Sequence, residues 1–229
     1  MDITNDLGQL LAIRLAATGV NANIVGFTSW SRSLRATVEA LKNSKNSNAK
    51  FVVEMLGDVG EPSAQHEAAL TTQHFAEITN AQPMFLRVPG VVQSKEIRDV
   101  LIKNDFHVQD AFRLLDRVDL ALVGIGTCEI VPPLTGGDNF FTAKEFEIAK
   151  KAGAVGQVNL RFIDKNGKPV VINLREKFFS TGNVSFRKPL KFREALRRKS
   201  INDEKIGRGV DAVNAWVTIT KENKGKYTK

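Results

Sequence analysis

Residues 22–41, ANIVGFTSWSRSLRATVEAL, contain the pattern that decides the fold: an apolar strand, a polar turn and a helix follow one another. The run ANIVGFT at 22–28 is short and apolar, which predicts a strand buried within a sheet. Serines, a tryptophan and an arginine fill the turn, and a helix is predicted from about residue 33 to residue 41. Units of this kind build parallel sheets, because the helix carries the chain back to start the next strand.

The same unit recurs along the chain. A helix precedes the first strand, because apolar residues follow helical spacing between the polar start at 4–6 and a stop at Gly19. Further strands are predicted at 50–56, 83–88 and 119–125, and further helices at about 63–79, from Ser94, around 108–115 and from Thr142 to about 151. The repetition predicts an α/β fold with a mainly parallel sheet and helices on both faces. Such a sheet binds ligands at the carboxyl ends of its strands.

A hairpin is predicted after the last of these helices. Val158, Leu160 and Phe162 alternate with polar neighbours, as in a strand with one buried face. Asn166-Gly167 is a typical hairpin turn, and the return strand is expected at 169–174.

The net charge of +8 lies in one part of the chain. Residues 183–229 hold 13 Lys and Arg against 5 Asp and Glu, whereas residues 1–182 are balanced at 20 of each. We therefore expect one domain over 1–182 and a basic segment over 183–229 that either completes the same domain or is a solvated tail. A basic tail could also contact DNA phosphates, but it contains no recognisable element for reading bases.

The composition excludes several classes of protein. No apolar run approaches the roughly 18–20 residues of a membrane span, and the start MDITNDLGQL lacks the pattern of a secretory signal. The single cysteine, Cys128, cannot form an internal disulfide and is expected in the core. These features indicate a cytoplasmic protein without membrane contact. Because His66, His74 and His107 lack the spacing of metal ligands, neither a metal nor a cofactor is expected.

The turn after the first strand is a candidate phosphate site. Ser29, Trp30, Ser31, Arg32 and Ser33 lie between that strand and the following helix. Backbone N–H groups and the positive end of the helix dipole attract a phosphate at such a place, and the hydroxyls and the guanidinium would add donors. The alternative is that a serine only caps the helix and that Arg32 is solvated.

Two further turns are expected at the same edge of the sheet. The second, GDVGEP at 57–62, has glycines that let the backbone approach a ligand, and Asp58 could accept sugar hydroxyls. Gln65 and His66 begin the next helix, where a histidine is more often structural than catalytic. The third is Gly124-Ile125-Gly126-Thr127.

Two other interpretations apply to these loops. A dinucleotide fingerprint would need a third glycine where Glu129 stands, so a dinucleotide cofactor is disfavoured. Asp138-Asn139, in the loop 135–141, either closes over a ligand or only turns the chain.

Five segments taken together resemble one family. GFTSWSRSL (26–34), GDVGEPSAQHEA (57–68), FLRVPGVVQSKEIRDVL (85–101), DLALVGIG (119–126) and GAVGQVNLRFIDKNGKPV (153–170) closely resemble the sugar-binding domain of SorC-type bacterial transcriptional regulators. The similarity spans about residues 7–175. It implies a Rossmann-like fold related to sugar-phosphate isomerases and deaminases. It also implies a sensor of a phosphorylated sugar that works as a homodimer or homotetramer.

The resemblance also implies a set of ligand-binding residues. The residues at the phosphate-gripping turn are Ser29, Ser31, Arg32 and Ser33; those at the second wall are Gly57, Asp58, Gln65 and His66; a third wall has Pro89 and Gly90, and the floor has Gly124, Gly126 and Thr127. Gln157 stands where many relatives carry an acidic residue that holds sugar hydroxyls. Because an amide both donates and accepts, the change would alter the choice of ligand rather than abolish binding.

The chain departs from this family at both ends. Family members begin with a helix-turn-helix unit, whereas the similarity here starts at about residue 7, so we expect contact with DNA only through a domain outside this sequence. Residues 175–229 lack the family's Ala-Gly-Gly loop.

The function expected from the sequence is therefore that of a sensor and not of an enzyme. The domain would bind a phosphorylated sugar and transmit occupancy to a DNA-binding domain. The fold relationship permits the alternative of a sugar-phosphate isomerase or deaminase, since fold alone does not settle function. No well-placed acid–base pair is found beyond Asp58 and His66.

Overall fold

A four-stranded parallel sheet forms the centre of the computed structural model, which describes residues 4–42, 47–129, 139–170 and 172. Its strands are β1 (Ile24–Phe27), β2 (Phe51–Glu54), β3 (Gln82–Met84) and β4 (Leu120–Leu122). Their order across the sheet is β3-β2-β1-β4, and Gly26 of β1 lies opposite Val53 on one side and Ala121 on the other. The predicted α/β fold is confirmed.

The helices lie close to where the sequence predicts them. Within the described residues they are α1 (Thr4–Thr18), α2 (Arg32–Ala40), α3 (Pro62–Thr79), α4 (Lys95–Asn104), α5 (Phe106–Leu115) and α6 (Ala143–Lys151). Side-chain caps from Ser31, Ser94, Asp105 and Thr142 define four of their starts. Thr142 forms the predicted capping box with Glu145.

Both faces of the parallel sheet are covered, as predicted. On one face Val25, Phe27 and Val52 pack with apolar residues of α1, α2 and α3, among them Leu11, Leu34 and Phe75. On the other face Ile24 and Val53 pack with Val108, Ala111 and Leu115 of α5. Alternate residues of each strand therefore reach opposite layers of the core.

The strand predicted at 119–125 is wrong in extent. It divides into β4 and a separate strand, β5 (Ile125–Thr127), which belongs to an antiparallel sheet with β6 (Ala154–Val158) and β7 (Arg161–Asp164) in the order β5-β6-β7. The parallel ladder ends where Phe27 meets Leu122, because the chain of β1 turns there into α2. The predicted third turn therefore includes a strand, and only Val123 and Gly124 connect the two sheets.

A hairpin turn that the sequence does not predict precedes the one at Asn166-Gly167. Instead of one strand through Val158, Leu160 and Phe162, the chain turns at Asn159 and Leu160, whose φ angles are 47° and 61°. Two successive positive φ angles are typical of a tight hairpin turn, but leucine rarely adopts one, so the sequence pattern conceals it.

The predicted turn at Asn166-Gly167 is confirmed, since the N–H of Asp164 donates to the carbonyl of Lys168 at 2.8 Å. The return strand is represented by a single bridge between Ile163 and Pro169. Its remaining predicted residues, 171 and 173–174, lie outside the described part of the chain.

The strand predicted at 83–88 is also shorter, since β3 ends at Met84. The reason is a side chain: the N–H of Leu86 donates to the carboxylate of Glu54 at 3.0 Å instead of continuing the ladder. Predictions for residues 183–229 and for Asp138 fall outside the described residues.

Candidate functional site

The first predicted turn lies at the carboxyl edge of the sheet and ends at a helix cap. The hydroxyl of Ser31 accepts a hydrogen bond from the N–H of Leu34 at 3.4 Å, which is the capping role foreseen as the alternative. Arg32 and Ser33 form the start of α2, where backbone N–H groups point out of the helix end. Ser29 is buried, Ser31 and Ser33 are half-buried, and Arg32 is exposed.

The glycine of the third turn packs directly against this cap. A Cβ atom placed on Gly124 would lie 2.7 Å from Cβ and 2.8 Å from Oγ of Ser31. Only a residue without a side chain lets the two segments come so close. The prediction that the first and third turns meet at one edge is therefore confirmed for Ser31 and Gly124.

The second turn meets the segment after β3 through two glycines. The N–H of Asp58 donates to the carbonyl of Val88 at 2.7 Å, and the N–H of Gly90 donates to the carbonyl of Asp58 at 2.6 Å. A Cβ on Gly57 would lie 2.4 Å from the oxygen of Val88. These contacts bring Gly57, Asp58, Pro89 and Gly90 together, but the glycines serve the approach of two protein segments.

Two charged residues next to Asp58 were missed by the sequence analysis. Arg87 donates from Nη2 to Oε2 of Glu54 at 2.6 Å, and its Nη1 lies 3.2 Å from Oδ1 of Asp58. The carboxylate of Glu54 is only 2% exposed and also accepts from Thr72 and from the N–H of Leu86. The available signal was a glutamate that ends the apolar strand FVVE, because a buried carboxylate needs a partner.

Burial controls the protonation of Asp58. It raises the pKa of this carboxyl from 3.8 to about 6, although the guanidinium of Arg87 acts in the opposite direction; the carboxylate of Glu54 adds to the rise. At neutral pH Asp58 is therefore mostly ionised and can accept hydrogen bonds from hydroxyl groups.

Gln65 and His66 lie on the first turns of α3 and differ in surroundings. Gln65 donates from Nε2 to the carbonyl of Gly60 at 2.9 Å, and the same carbonyl accepts from Nδ2 of Asn139 at 3.3 Å. Gln65 thus supports the second turn. His66 is exposed, and within the described part of the chain it has no hydrogen bond to the other predicted ligand-binding residues.

The floor combines the predicted residues of β5 and β6. Gly126 pairs with Gln157 in the antiparallel ladder, and a Cβ on Gly126 would lie 3.2 Å from Cγ of Gln157, so this side chain lies across the glycine. Thr127 is exposed at the end of β5. Trp30 is half-buried against an apolar cluster that includes Leu56, Val59, Val91, Cys128 and several phenylalanines of the α6 region.

A buried amide links the two sheets beneath the site, and it too was missed. Thr28, directly after β1, donates from Oγ1 to Oδ1 of Asn159 at 2.6 Å, and Nδ2 of Asn159 lies 3.9 Å from Sδ of Met55. The turn at Asn159 and Leu160 therefore packs against the ends of β1 and β2.

The comparisons relate this chain to a family of sugar-binding domains and to a regulator. Residues 1–189 match the family described as "Putative sugar-binding domain". The deoxyribonucleoside regulator of Bacillus subtilis (strain 168) is 26% identical over 165 residues, which cover 72% of this chain and 51% of that protein. The chain thus spans about half the length of this curated relative.

Solved structures share the fold. The probable sor operon regulator of Shigella flexneri superposes with a TM-score of 0.66 at 20% identity, covering 93% of this chain and 81% of its own. The full-length sorbitol operon regulator SorC of Klebsiella pneumoniae superposes with a TM-score of 0.64 at 23% identity, covering 84% and 58%.

These relatives are transcriptional regulators and not enzymes, in agreement with the expectation from the sequence. Among the described residues, no helix is long and apolar enough to cross a membrane. Because the family match covers well over half of the residues, the chain belongs to the family described as putative sugar-binding domains.

Proposed function

We propose that the carboxyl edge of the parallel sheet binds a phosphorylated sugar. The phosphate lies at the first turn of α2, where Ser29, Ser31 and Ser33 supply hydroxyls and Arg32 a guanidinium. The sugar lies between the second wall and the floor, so that Asp58 and Gln157 contact its hydroxyls. Trp30, Gly57, Gln65, His66, Pro89, Gly90, Gly124, Gly126 and Thr127 complete the surroundings.

One observation carries this proposal: Ser31, at the N-terminus of α2, is packed against Gly124. The helix end that best suits an anion is thereby placed between the ends of β1 and β4, at the edge where sheets of this type bind ligands. The half-buried Asp58 follows the neighbouring strand β2. A sugar-binding domain with an anion-attracting helix end beside a hydroxyl acceptor suits a sugar phosphate better than a neutral sugar.

The proposed role is that of an effector sensor in a longer regulator. Occupancy of the site would be transmitted to a DNA-binding domain outside this sequence, in a cytoplasmic homodimer or homotetramer. The effector domain would cover residues 1–182, with the basic residues 183–229 completing it. Transmission requires that two states of the protein differ in their affinity for the sugar.

Ligand binding by the full 229-residue chain tests the proposal. Melting temperature and titration calorimetry would be recorded with glucose 6-phosphate, fructose 6-phosphate, ribose 5-phosphate and their unphosphorylated parents. We expect saturable stabilisation by at least one phosphorylated sugar, with little from its parent. Equal stabilisation by parent and phosphate would contradict the proposed phosphate site.

The matched variants Arg32→Ala and Arg35→Ala locate the phosphate. Both remove one positive charge from α2, but Arg35 lies a turn later and pairs with Glu39 and Glu67. Arg32→Ala should lower the affinity for the phosphorylated sugar by about tenfold or more, since charge-assisted contacts are strong. The affinity for the parent sugar should change little. Arg35→Ala should leave both affinities unchanged. Equal losses in the two variants would show that the phosphate lies elsewhere.

A further inference from the structure

The second wall contains a charged trio, defined as Glu54, Arg87 and Asp58, and it has a fixed geometry. Glu54 accepts from the hydroxyl of Thr72 at 3.0 Å, from the N–H of Leu86 at 3.0 Å and from Arg87 at 2.6 Å. Because Glu54 is buried and held from three sides, it fixes one end of the guanidinium of Arg87.

Arg87 reaches from this buried anchor to the site. Its side chain is 44% exposed, and its Nη1 lies 3.2 Å from Oδ1 of Asp58, whose side chain is 17% exposed. The two charges that act on Asp58 are those of Arg87 and Glu54. The trio contains two carboxyl groups and one guanidinium, so its formal net charge is −1.

We propose that the charged trio makes the site selective for sugar monophosphates over bisphosphates, because the second wall accepts hydroxyl groups and repels a second phosphate. Asp58 is the specificity-determining residue that contacts the ligand, and Glu54 is a positioning residue that acts through Arg87. This inference rests on the proposed function, since it assumes that the first phosphate lies at the start of α2.

The division of charge along the edge supports this selectivity. The start of α2 attracts an anion through Arg32 and the helix end, whereas the guanidinium on the other wall is already shared between two carboxylates. A second phosphate at that wall would meet Asp58 at close range in a partly dehydrated place, where like charges repel strongly. A hydroxyl group at the same place donates to Asp58 and carries no charge.

The test compares matched ligands at pH 7.5, where Asp58 is mostly ionised because its pKa is about 6. Affinities of the full chain would be measured by calorimetry for fructose 6-phosphate and fructose 1,6-bisphosphate, and for glucose 6-phosphate and glucose 1,6-bisphosphate. For the pair that binds, we expect the monophosphate to be favoured by about tenfold or more.

Three variants separate the role of the trio from a general loss of charge. Asp58→Asn and Glu54→Gln each neutralise the wall with little change of shape, and each should reduce the preference for the monophosphate to within about threefold. Glu67→Gln removes an exposed carboxylate of α3 that pairs with Arg35 outside the trio, and it should retain the preference. Melting curves without ligand verify that each variant is folded.

The outcomes are distinguishable. Equal affinity for both ligands in the unaltered protein, or a preference unchanged in Asp58→Asn, overturns the selectivity and leaves the sugar-phosphate site in place. A preference for the bisphosphate overturns it as well. Absence of binding by every phosphorylated probe overturns the proposed function, and the selectivity with it.

Discussion

The hydroxyl of Thr28 donates to the side-chain oxygen of Asn159 at 2.6 Å, and both residues are buried. This hydrogen bond joins the end of β1 to the β6–β7 turn, so it connects the parallel and antiparallel sheets directly beneath the candidate site. The turn itself needs Asn159 in the left-handed region, which asparagine tolerates better than most residues.

Replacing Thr28 by valine should destabilise the protein by about 1–3 kcal/mol, because a buried amide oxygen is left without its donor. Urea unfolding of Thr28→Val measures this, with Thr71→Val as the control. Thr71 donates only to a carbonyl of its own helix, so its loss should cost less. Asn159→Gly keeps the turn but removes the side-chain amide. In this variant, Thr28→Val should lower the free energy of unfolding by less than it does in the unaltered protein. Strict additivity would contradict the coupling.

The stability contributed by Asp58 should depend on pH in the direction opposite to that of most carboxylates. The folded protein raises the pKa of Asp58 to about 6, above its ordinary value of 3.8, and therefore binds the proton more tightly than the unfolded chain does. The contribution is complete below about pH 4 and is lost as the pH rises through about 6. We expect about 1–2 kcal/mol, since this carboxyl stays partly solvated.

Urea unfolding of the unaltered protein and of Asp58→Asn, from pH 4.5 to pH 7.5, measures this difference. The asparagine does not titrate, so the two free energies of unfolding should change relative to each other across that range. Parallel curves would mean that burial does not shift the carboxyl.

Gly57→Ala should destabilise the protein by about 1–3 kcal/mol, because the new methyl group meets the carbonyl oxygen of Val88, which is backbone and cannot move aside alone. Gly126→Ala is the matched control. Its methyl group meets only the flexible side chain of Gln157, so a change below about 1 kcal/mol is expected. Thermal unfolding of the two variants makes the comparison, and similar losses would argue against the close packing of Gly57.

Gly124→Ala should displace Ser31, and it should lower both stability and affinity for a phosphorylated sugar. Loss of the cap alone costs about 1 kcal/mol. Ser31→Gly removes both atoms that the new methyl group would meet, and glycine is a tolerable cap. The double variant Gly124→Ala/Ser31→Gly should therefore be more stable than Gly124→Ala. If the second substitution gives no recovery, the clash is not the cause.

Periodicity and turn residues were sufficient to predict the parallel sheet and its helices. The apolar run at 22–28 and the capping pair Thr142 and Glu145 are local signals, and each depends on neighbouring residues alone. The ends of strands that depend on residues distant in the sequence could not be predicted. The strand predicted at 119–125 ends at Leu122 because the neighbouring strand β1 ends opposite it. The sequence DLALVGI alone does not indicate this end.

The residues of the candidate site also fall into those that a local pattern predicts and those that depend on a distant partner. The polar turn at 29–33 is readable because a helix start is a local pattern. Glu54 and Arg87 were missed because their pairing joins segments 33 residues apart. The buried glutamate at the end of FVVE indicates that a partner is needed, but the sequence does not say which residue it is. Gly57 and Gly90 were assigned to separate walls, whereas the structure packs them against each other. The sequence alone does not distinguish a glycine that admits a ligand from one that admits another segment of the chain.

The hydrogen bond between Thr28 and Asn159 also has a consequence for the order in which the domain folds. The long-range contacts of the domain span increasing distances along the chain: 33 residues from Glu54 to Arg87, 96 from Asn23 to Asp119, and 131 from Thr28 to Asn159. Closing a longer loop costs more chain entropy and slows folding. We therefore expect the second wall to form first and the floor last. During synthesis, the hydrogen bond between Thr28 and Asn159 can form only after residue 159 has emerged.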